Sequence, residues 1–228
     1  DGYARKHTDL PFLVTLRERD GAYVADRFLR ATDIGEATEH ADWKTVVLDE
    51  GTSEPVVPNG SIGFRWGEEG AGRWNLQLGE TRPRLSLLGA HDELVPLDLP
   101  RFDIGETEGG GIMRRGVPAR RVGGRLVTTV FDLLCAQLGV ARDGLPGDWP
   151  QGYDDPEPGT PAWQQEHTGV DSGLVTRIAR EFARNAEVTE GRSMIVMGAG
   201  TNHWFHGDQI YRGMLSMVLL CGCQGVNG

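Results

Sequence analysis

The chain has 228 residues, of which 39% are apolar and 25% charged, and its formal net charge at pH 7 is −10. This acidic balance argues against a general affinity for nucleic acid or for acidic membrane surfaces. No apolar run approaches the roughly 18 residues that a membrane-spanning helix needs. Three cysteines do not make a disulfide framework, so the simplest compartment for the chain is a reducing one.

The first fifty residues predict short strands in antiparallel pairs. Residues 10–16, 21–28 and 45–48 each combine apolar and β-branched side chains, and turn-forming residues separate them. These pieces resemble short antiparallel pairs rather than crossover units.

The composition of the chain changes at residues 54–124, and this segment predicts an irregular, strand-rich insertion. Fourteen of these 71 residues are glycine, prolines recur, and no helical period survives. Short β-like pieces occur at residues 62–66, 74–78 and 85–88, and the glycine-rich residues 105–111 predict a mobile tip. Four arginines follow that tip, and they favour a solvated or subunit-contacting loop over an anion site: Arg114, Arg115, Arg120 and Arg121.

Regular structure resumes at residues 126–131, a β-branched run that leads into a helix ending near Gly139. Residues 143–161, rich in Gly, Pro and Asp, indicate a linker or a long surface excursion. A short helix follows Thr160, and Asp171 can cap the next helix, at residues 172–185. The apolar residues of that helix share one face at helical spacing: Leu174, Val175, Ile178, Phe182 and Ala186.

The last third of the chain predicts a strand, a glycine turn and a buried helix. Residues 194–197 are four consecutive apolar residues, Gly198 and Gly200 follow them, and an apolar pattern runs over residues 209–221. We expect residues 194–197 to be a central strand of a parallel sheet, packed between the two flanking helices. This order of elements is half of a doubly wound α/β domain.

The loop after residue 197 predicts a binding site for a cofactor. Unpaired backbone N–H groups and a helix dipole converge at such a turn. The dinucleotide fingerprint is incomplete, because His203 stands where a third glycine is required and no acidic residue closes a second strand about twenty residues on. Amide, imidazole and indole groups in the loop suit a heteroaromatic ligand instead. The alternative is that the glycines only let the chain turn.

Two pairs of residues have side chains that could bind a metal ion. His203 and His206 are three residues apart, and so could approach one another, but a metal site needs at least a third ligand and none is evident. Hydrogen bonding to a ligand, or a structural role, is the better reading of both histidines. Cys221 and Cys223 are expected to serve packing.

Several strings in the chain resemble the molybdopterin oxidoreductases of the dimethyl sulfoxide reductase type. Thr-Gly-Val at residues 168–170 and Ile-Ala-Arg-Glu-Phe-Ala at residues 178–183 are shared with the whole group. Other strings are similar to the catalytic alpha subunits of respiratory, membrane-bound nitrate reductases: Tyr-Ala-Arg at 3–5, Thr-Asp-Leu-Pro at 8–11, Pro-Asn-Gly-Ser-Ile-Gly-Phe-Arg-Trp-Gly at 58–67, Val-Thr-Thr-Val-Phe-Asp-Leu at 127–133, Gly-Ala-Gly-Thr-Asn-His-Trp-Phe-His at 198–206, Tyr-Arg-Gly at 211–213 and Cys-Gly-Cys at 221–223.

The resemblance implies an oxidoreductase that reduces nitrate to nitrite at a molybdenum ion held by two molybdopterin guanine dinucleotides. In that family electrons arrive through iron–sulfur clusters, including a [4Fe–4S] cluster of the alpha subunit. The implied partners are an iron–sulfur beta subunit and a haem b gamma subunit in the membrane. The implied location is peripheral, on the cytoplasmic face of the cell membrane.

For this chain the resemblance implies a segment of a molybdopterin-binding domain, with no catalytic or metal-ligating residue of its own. Residues 1–53 and 125–228 are assigned to that α/β domain and residues 54–124 to the insertion. Six loop residues are expected to bind the cofactor: Gly198, Gly200, Thr201, Asn202, His203 and His206. The molybdenum ligand and the iron–sulfur ligands of the family lie in other segments, so we expect the isolated chain to carry no cofactor and no activity. A nitrite oxidoreductase, another sister molybdoenzyme, or a subunit-interaction module without chemistry remain alternatives.

Overall fold

A computed structural model of the chain describes residues 2–58, 77–101 and 111–226. It shows a mixed α and β chain, with the strands before residue 130 and the longer helices after it. The strands are β1 (Leu13–Arg19), β2 (Ala22–Phe28), β3 (Val47–Leu48), β4 (Pro55–Val56), β5 (Glu93–Pro100), β6 (Ile112–Val122) and β7 (Arg125–Thr129). The α-helices are α1 (Gly2–His7), α2 (Val130–Gln137), α3 (Pro161–Thr168), α4 (Ser172–Val188) and α5 (Gly207–Leu220), and the 3-10 helices are η1 (Ala31–Ile34) and η2 (Ala199–His203).

Five of the strands close into a small barrel in the order β1-β2-β5-β6-β7. Neighbouring strands of the barrel are antiparallel, except that β2 and β5 are parallel and pair at Tyr23 and Leu97. Leu97 and Val117 are fully buried in the apolar core that β5 and β6 share with α2. The short strands β3 and β4 form a separate two-stranded sheet.

The hairpin of β1 and β2 confirms the antiparallel pair predicted near the start of the chain. Its two turn residues, Asp20 and Gly21, have φ angles of 51° and 79°. Left-handed conformations at both central positions match the right-handed twist of the flanking strands. The strand predicted at residues 45–48 is present in shorter form as β3.

The two longest barrel strands, β5 and β6, were not predicted from the sequence. They pair in antiparallel register from Glu93 with Ala119 to Pro100 with Ile112. Three prolines lie within these strands, and proline usually argues against a central strand because it lacks a backbone donor. Pro118 is tolerated where β6 pairs with β5, before its pairing with β7 begins at Arg120. The strand predicted at residues 85–88 is absent, although Leu85 and Leu87 are buried.

The strand β7 leads directly into α2, as the sequence predicted, and a buried carboxylate holds this junction. Thr129 caps α2 by accepting a hydrogen bond from the Asp132 amide at 3.0 Å. The fully buried Asp132 carboxylate accepts hydrogen bonds from Ser86, the Leu87 amide and Arg142 at 2.6–2.8 Å. Asp132 therefore ties α2 to the segment around residue 86, which is a structural reason for an aspartate in this string.

Helix α3 begins after Thr160 as predicted, and α4 begins at its predicted cap, Asp171. The Thr160 hydroxyl accepts a hydrogen bond from the Trp163 amide at 3.1 Å at the start of α3. The Asp171 carboxylate accepts one from the Leu174 amide at 2.8 Å at the start of α4. None of the helices in the described ranges is both long and apolar enough to cross a membrane.

The predicted central strand at residues 194–197 is not formed, and this expectation was wrong for the described structure. These residues have no regular secondary structure, and Met194 and Val196 are 68% and 84% exposed. Helix α5, expected to be buried, exposes most of its surface and buries only Gly207. The reason is that the described residues offer no neighbouring strand with which residues 194–197 could pair.

The barrel joins residues from each of the predicted ranges. It takes β1 and β2 from residues 1–53, β5 and β6 from residues 54–124 and β7 from residues 125–228. Part of the predicted insertion therefore forms the wall of one barrel together with its flanks. The assignment of these ranges to domains stays a prediction.

Some sequence features fall outside the described residues. These are residues 59–67 of the proline-led string, the β-like piece at residues 62–66, residues 74–76 of the next piece, and residues 105–110 of the predicted tip.

Candidate functional site

The predicted cofactor loop is a short 3-10 helix between residue 197 and α5. Gly198 precedes η2 in an extended conformation, and its carbonyl accepts a hydrogen bond from the Thr201 amide at 3.3 Å. The Tyr211 hydroxyl of α5 donates to the same carbonyl at 3.4 Å, so α5 holds the start of the loop. His206 takes the left-handed conformation, with φ at 61°, immediately before α5 begins.

The first residue of α5, Gly207, carries a strict steric constraint that the sequence analysis missed. Gly207 is buried, and a Cβ atom there would lie 2.6 Å from the carbonyl oxygen of Thr201. Its amide donates to the Trp204 carbonyl at 3.0 Å. No real Cβ makes a contact of 2.6 Å with backbone, so the loop can close against α5 only through a glycine here.

Gly198 and Gly200, by contrast, face open space. A Cβ atom at either position would meet no described atom within 4 Å, and neither has a positive φ. Within the described structure, therefore, neither sterics nor backbone conformation requires glycine at these two positions. A requirement for glycine there would have to come from something that approaches the backbone closely.

A cavity of about 410 Å³ opens at this loop, and it brings three of the six predicted site residues together. Gly198, Gly200 and Thr201 line it, together with two residues that were not predicted as site residues, Trp204 and Ile210. Trp204 stood in the predicted loop, whereas no feature of the sequence marked Ile210. An indole ring beside exposed backbone and a hydroxyl can stack on, and hydrogen-bond to, a flat heteroaromatic group.

The other three predicted site residues do not line that cavity. Asn202, His203 and His206 are exposed, and the His206 ring makes an edge contact with Phe205 at 4.2 Å between centroids. Phe205 itself is 90% exposed. None of these three side chains lines the cavity.

No cluster with the composition of a metal site occurs in the described part of the chain. No group of three or more His, Cys, Asp or Glu side chains converges there. The buried Cys223 thiol contacts the Cys221 carbonyl at 3.6 Å, as a packed side chain does. Burial raises the pKa of the Cys221 thiol, which disfavours the thiolate that a metal would need.

The arginines after residue 111 belong to a strand and not to a loop, so the loop expected for them was wrong, whereas contact with another subunit stays a prediction. They lie on β6, where Arg114 pairs with Asp98 at 2.8 Å and Arg121 with Glu93 at 3.2 Å. Arg115 is 1% exposed and donates only to backbone carbonyls among the hydrogen bonds described for it. These contacts occupy Arg114, Arg115 and Arg121, and leave no anion site made of them.

A second cavity, of about 520 Å³, lies along α4, and side chains of both signs of charge line it. Arg180 stacks over the Tyr153 ring at 5.2 Å, and Arg177 lies 3.7 Å from Glu181. Asp154 lines the same cavity. Because both signs of charge are present and partly paired, nothing in this cavity calls for a ligand.

Comparison with known proteins identifies similar chains along the whole length. The chain is 50% identical to the nitrate reductase alpha subunit of Mycobacterium tuberculosis, 48% to the nitrate reductase alpha chain of Bacillus subtilis and 44% to the respiratory nitrate reductase 1 alpha chain of Escherichia coli. Each match covers 99% of this chain. No family model matches it.

The chain spans only 19–20% of the length of these relatives. The resemblance seen in the sequence strings is confirmed, and the chain corresponds to one segment of a nitrate reductase alpha subunit.

Proposed function

We propose that this chain is part of the molybdenum-containing catalytic subunit that reduces nitrate to nitrite in respiration. The observation that carries the proposal is the identity of 44–50% over 99% of the chain to nitrate reductase alpha subunits and chains. The names of these relatives favour nitrate reduction over nitrite oxidation and over an interaction module without chemistry. The activity is that of the complete subunit, of which this segment supplies one part.

The segment's role in this proposal is to hold part of the pterin cofactor. Gly198 and Gly200 present bare backbone to the cavity, and Thr201 adds a hydroxyl that can donate or accept. A cavity of about 410 Å³ lies at the lower end of the range of about 300–1,000 Å³ for sites that enclose a drug-sized ligand. It therefore suits one ring system of a molybdopterin guanine dinucleotide, with the remainder held elsewhere in the subunit.

The chemistry of the reaction belongs to the cofactor. Bound molybdenum supplies the two-electron redox centre at which nitrate loses an oxygen atom. The residues described here bind and orient. The glycine backbone lets a ligand approach, Thr201 offers a hydrogen bond, and Trp204 covers one side of the cavity. Asn202, His203 and His206 belong to the same proposal as donors from the surrounding loop.

The wider setting follows from the same family. We propose a cofactor of two molybdopterin guanine dinucleotides and a [4Fe–4S] cluster in the complete subunit, an iron–sulfur beta subunit and a haem b gamma subunit as partners, and a peripheral location on the cytoplasmic face of the membrane. The names of the Escherichia coli relatives as respiratory enzymes support a complex linked to electron transport. The doubly wound arrangement of the cofactor domain is part of this proposal.

The test uses a full-length alpha subunit that carries these residues and measures molybdenum content and nitrate reduction. In Gly200→Val the new Cβ atom meets no described protein atom within 4 Å, so the fold should persist while cofactor loading is lost. His203→Ala removes about one buried hydrogen bond of the holoenzyme, about 1–3 kcal/mol, and should lower loading or turnover by roughly ten- to a hundredfold. His206→Ala, next to α5, should stay close to the parent protein.

Gly207→Ala is the control for damage to the loop itself, because its Cβ collides with the Thr201 carbonyl. It should lower both thermal stability and molybdenum content, whereas Gly200→Val should lower only molybdenum content. If Gly200→Val and both histidine variants load molybdenum and reduce nitrate like the parent enzyme, this loop does not bind the cofactor. The isolated 228-residue chain should hold no molybdenum, and a stoichiometric amount by elemental analysis would contradict this proposal.

A further inference from the structure

The loop that lines the candidate cavity is held only weakly by its own backbone. The Thr201 amide donates to the Gly198 carbonyl at 3.3 Å, and the Trp204 amide donates to the Thr201 carbonyl at 3.5 Å. Hydrogen bonds of this kind are usually about 2.7–3.2 Å long, so both are weak. Gly198 and Gly200 add conformational freedom, because a glycine has no Cβ atom to restrict its backbone. One defined shape of the loop therefore depends on contacts from outside it.

Helix α5 supplies such contacts along one face. Gly207, Ile210 and Tyr211 are three and four residues apart, a spacing that places side chains on the same side of a helix. Gly207 is buried against the carbonyl oxygen of Thr201, and Ile210 lines the cavity. The Tyr211 hydroxyl donates to the Gly198 carbonyl at 3.4 Å. The same face of α5 thus contacts the loop both at its first residue and in its middle.

The chain reverses direction between the loop and α5 at His206. This residue has φ at 61°, a left-handed conformation that is uncommon for residues other than glycine. The reversal brings the start of α5 back to the loop, so that Tyr211 bonds to a residue thirteen positions earlier in the chain. A sparsely populated backbone conformation costs free energy and persists only where the surrounding structure holds it.

Tyr211 makes a contact with the loop that no other side chain makes. Among the described residues, its hydrogen bond is the only one that a side chain donates to the backbone of residues 198–206. Tyr211 is not one of the residues that line the cavity. It can therefore hold the loop without touching a ligand in the cavity.

A hydrogen bond to the Gly198 carbonyl orients a whole peptide group. The peptide bond is planar, so the direction of this carbonyl also sets the direction of the Ala199 N–H across the same bond. The bond from Tyr211 thus sets the orientation in which the bare backbone after Gly198 faces a ligand.

We propose that Tyr211 is a positioning residue for the cofactor, and that its hydroxyl orders the loop at Gly198 before the pterin cofactor binds. This inference rests on the proposed function of the loop. Ordering a flexible segment costs conformational entropy, and a segment that is ordered in advance binds its ligand more tightly. Tyr211 therefore determines how tightly the cofactor is held and leaves the chemistry at molybdenum unchanged.

The test compares Tyr211→Phe with the parent protein in a full-length alpha subunit that carries these residues. Phenylalanine keeps the ring and removes only the hydroxyl group. We expect the holoenzyme to release molybdenum about two- to tenfold faster, which is the effect of one intramolecular hydrogen bond. Molybdenum that remains bound after timed incubation and gel filtration measures this rate. Nitrate reduction per bound molybdenum should stay within about twofold of the parent value, because the reacting groups are unchanged.

Two controls separate positioning from a purely structural role. Tyr23→Phe removes a hydroxyl from β2 of the barrel, and it should release molybdenum at the parent rate. The melting temperature of the cofactor-free subunit should change by less than about 1 °C in Tyr211→Phe, because the lost hydrogen bond is exposed. A lower melting temperature with an unchanged release rate would show that Tyr211 is structural, and would overturn the proposal.

Amide exchange reports on the loop itself and needs no cofactor. The Thr201 amide donates to the same Gly198 carbonyl as Tyr211. In the cofactor-free subunit, we expect this amide to exchange about two- to tenfold faster in Tyr211→Phe than in the parent protein. An unchanged rate would mean that Tyr211 does not order the loop, and would overturn the proposal.

Comparison with Gly200→Val distinguishes failure of this inference from failure of the proposed function. If Gly200→Val loses molybdenum while Tyr211→Phe releases it at the parent rate, the loop binds the cofactor and Tyr211 does not position it. If both variants behave like the parent protein, the loop does not bind the cofactor and both proposals fail. If Tyr211→Phe lowers nitrate reduction per molybdenum at an unchanged release rate, Tyr211 acts on the chemistry and the positioning role is wrong.

Discussion

Replacing Arg115 by Met should destabilise the barrel far more than the same change at its neighbour Arg114. Arg115 is 1% exposed, and its guanidinium group donates four hydrogen bonds of 3.0–3.1 Å. The acceptors are backbone carbonyls of the α2 end and of the following linker: Ala136, Gln137, Asp148 and Pro158. One side chain therefore fastens residues 148–158 to both β6 and α2.

The magnitude follows from what the substitution leaves behind. Methionine fills similar space and donates nothing, so the carbonyls of Gln137, Asp148 and Pro158 lose the donor described for them. Hydrogen bonds to a charged group contribute about 1.5–3 kcal/mol each, so four amount to roughly 6–12 kcal/mol. Release of a buried charge returns several kcal/mol, because burial opposes the charged form and lowers the pKa of Arg115. The net loss in the free energy of unfolding should be about 3–5 kcal/mol.

Thermal and urea unfolding of the purified chain measure this difference. For a chain of this size, 1 kcal/mol corresponds to about 2–4 °C, so Arg115→Met should lower the melting temperature by roughly 6–20 °C. Arg114→Met is the control, because Arg114 is about half exposed and its ion pair with Asp98 is worth about 0–1 kcal/mol. Arg115→Lys should fall between them, since one ammonium group offers only three donors. Equal melting temperatures for Arg115→Met and Arg114→Met would refute the reasoning.

Three further predictions concern stability. Asp33 accepts hydrogen bonds from Arg27, which lowers the pKa of its carboxyl group to about 2. Its contribution to the free energy of unfolding is therefore present above the ordinary carboxyl pKa and is lost as pH falls toward 2. Because the arginine partners of Asp33 are about half exposed, Asp33→Asn should cost about 1–2 kcal/mol at pH 7 and nothing near pH 2, as measured by urea titrations at each pH. Gly116→Ala places a Cβ 2.6 Å from the backbone oxygen of Pro146 and should cost about 1–3 kcal/mol by thermal unfolding, whereas an unchanged melting temperature would show that this contact can relax. Asp171→Ala removes the cap of α4 and should cost about 0.5–2 kcal/mol, seen as faster amide exchange in the first turn of that helix; unchanged exchange there would mean that the cap contributes nothing.

Local features of the fold were predictable from the sequence because neighbouring residues decide them. The start of α3 after Thr160 and the cap of α4 at Asp171 were predicted, and both side chains accept an amide hydrogen bond at the start of their helix. The hairpin of β1 and β2 is closed by Asp20 and Gly21, residues that tolerate positive φ. In each case the deciding contact spans only a few residues.

The strands β5 and β6 could not be predicted from the sequence, because their formation depends on contacts between residues that are distant in the chain. Three prolines and a glycine interrupt the alternation of apolar and polar residues that is typical of a strand. Each of these two strands forms because it pairs with a partner in the barrel. The run at residues 194–197 shows the same dependence from the other side. It has the composition of a buried strand, but no partner strand is among the described residues.

For the candidate site too, the sequence determined some features and only the tertiary structure decided others. Several strings, among them the one at residues 198–206, indicated the nitrate reductase family before any geometry was known, because the order of side chains is a property of the sequence. The binding role of the loop stays a prediction. Only the tertiary structure distinguished Gly207 from Gly198 and Gly200. At Gly207 a close contact with backbone requires a glycine, whereas a Cβ atom at Gly198 or Gly200 would lie in open space. Only the tertiary structure, likewise, showed that Arg115 is buried while Arg114, one residue away, is exposed. Burial and close approach depend on elements distant in the chain, and no local pattern encodes which of two adjacent residues will meet them.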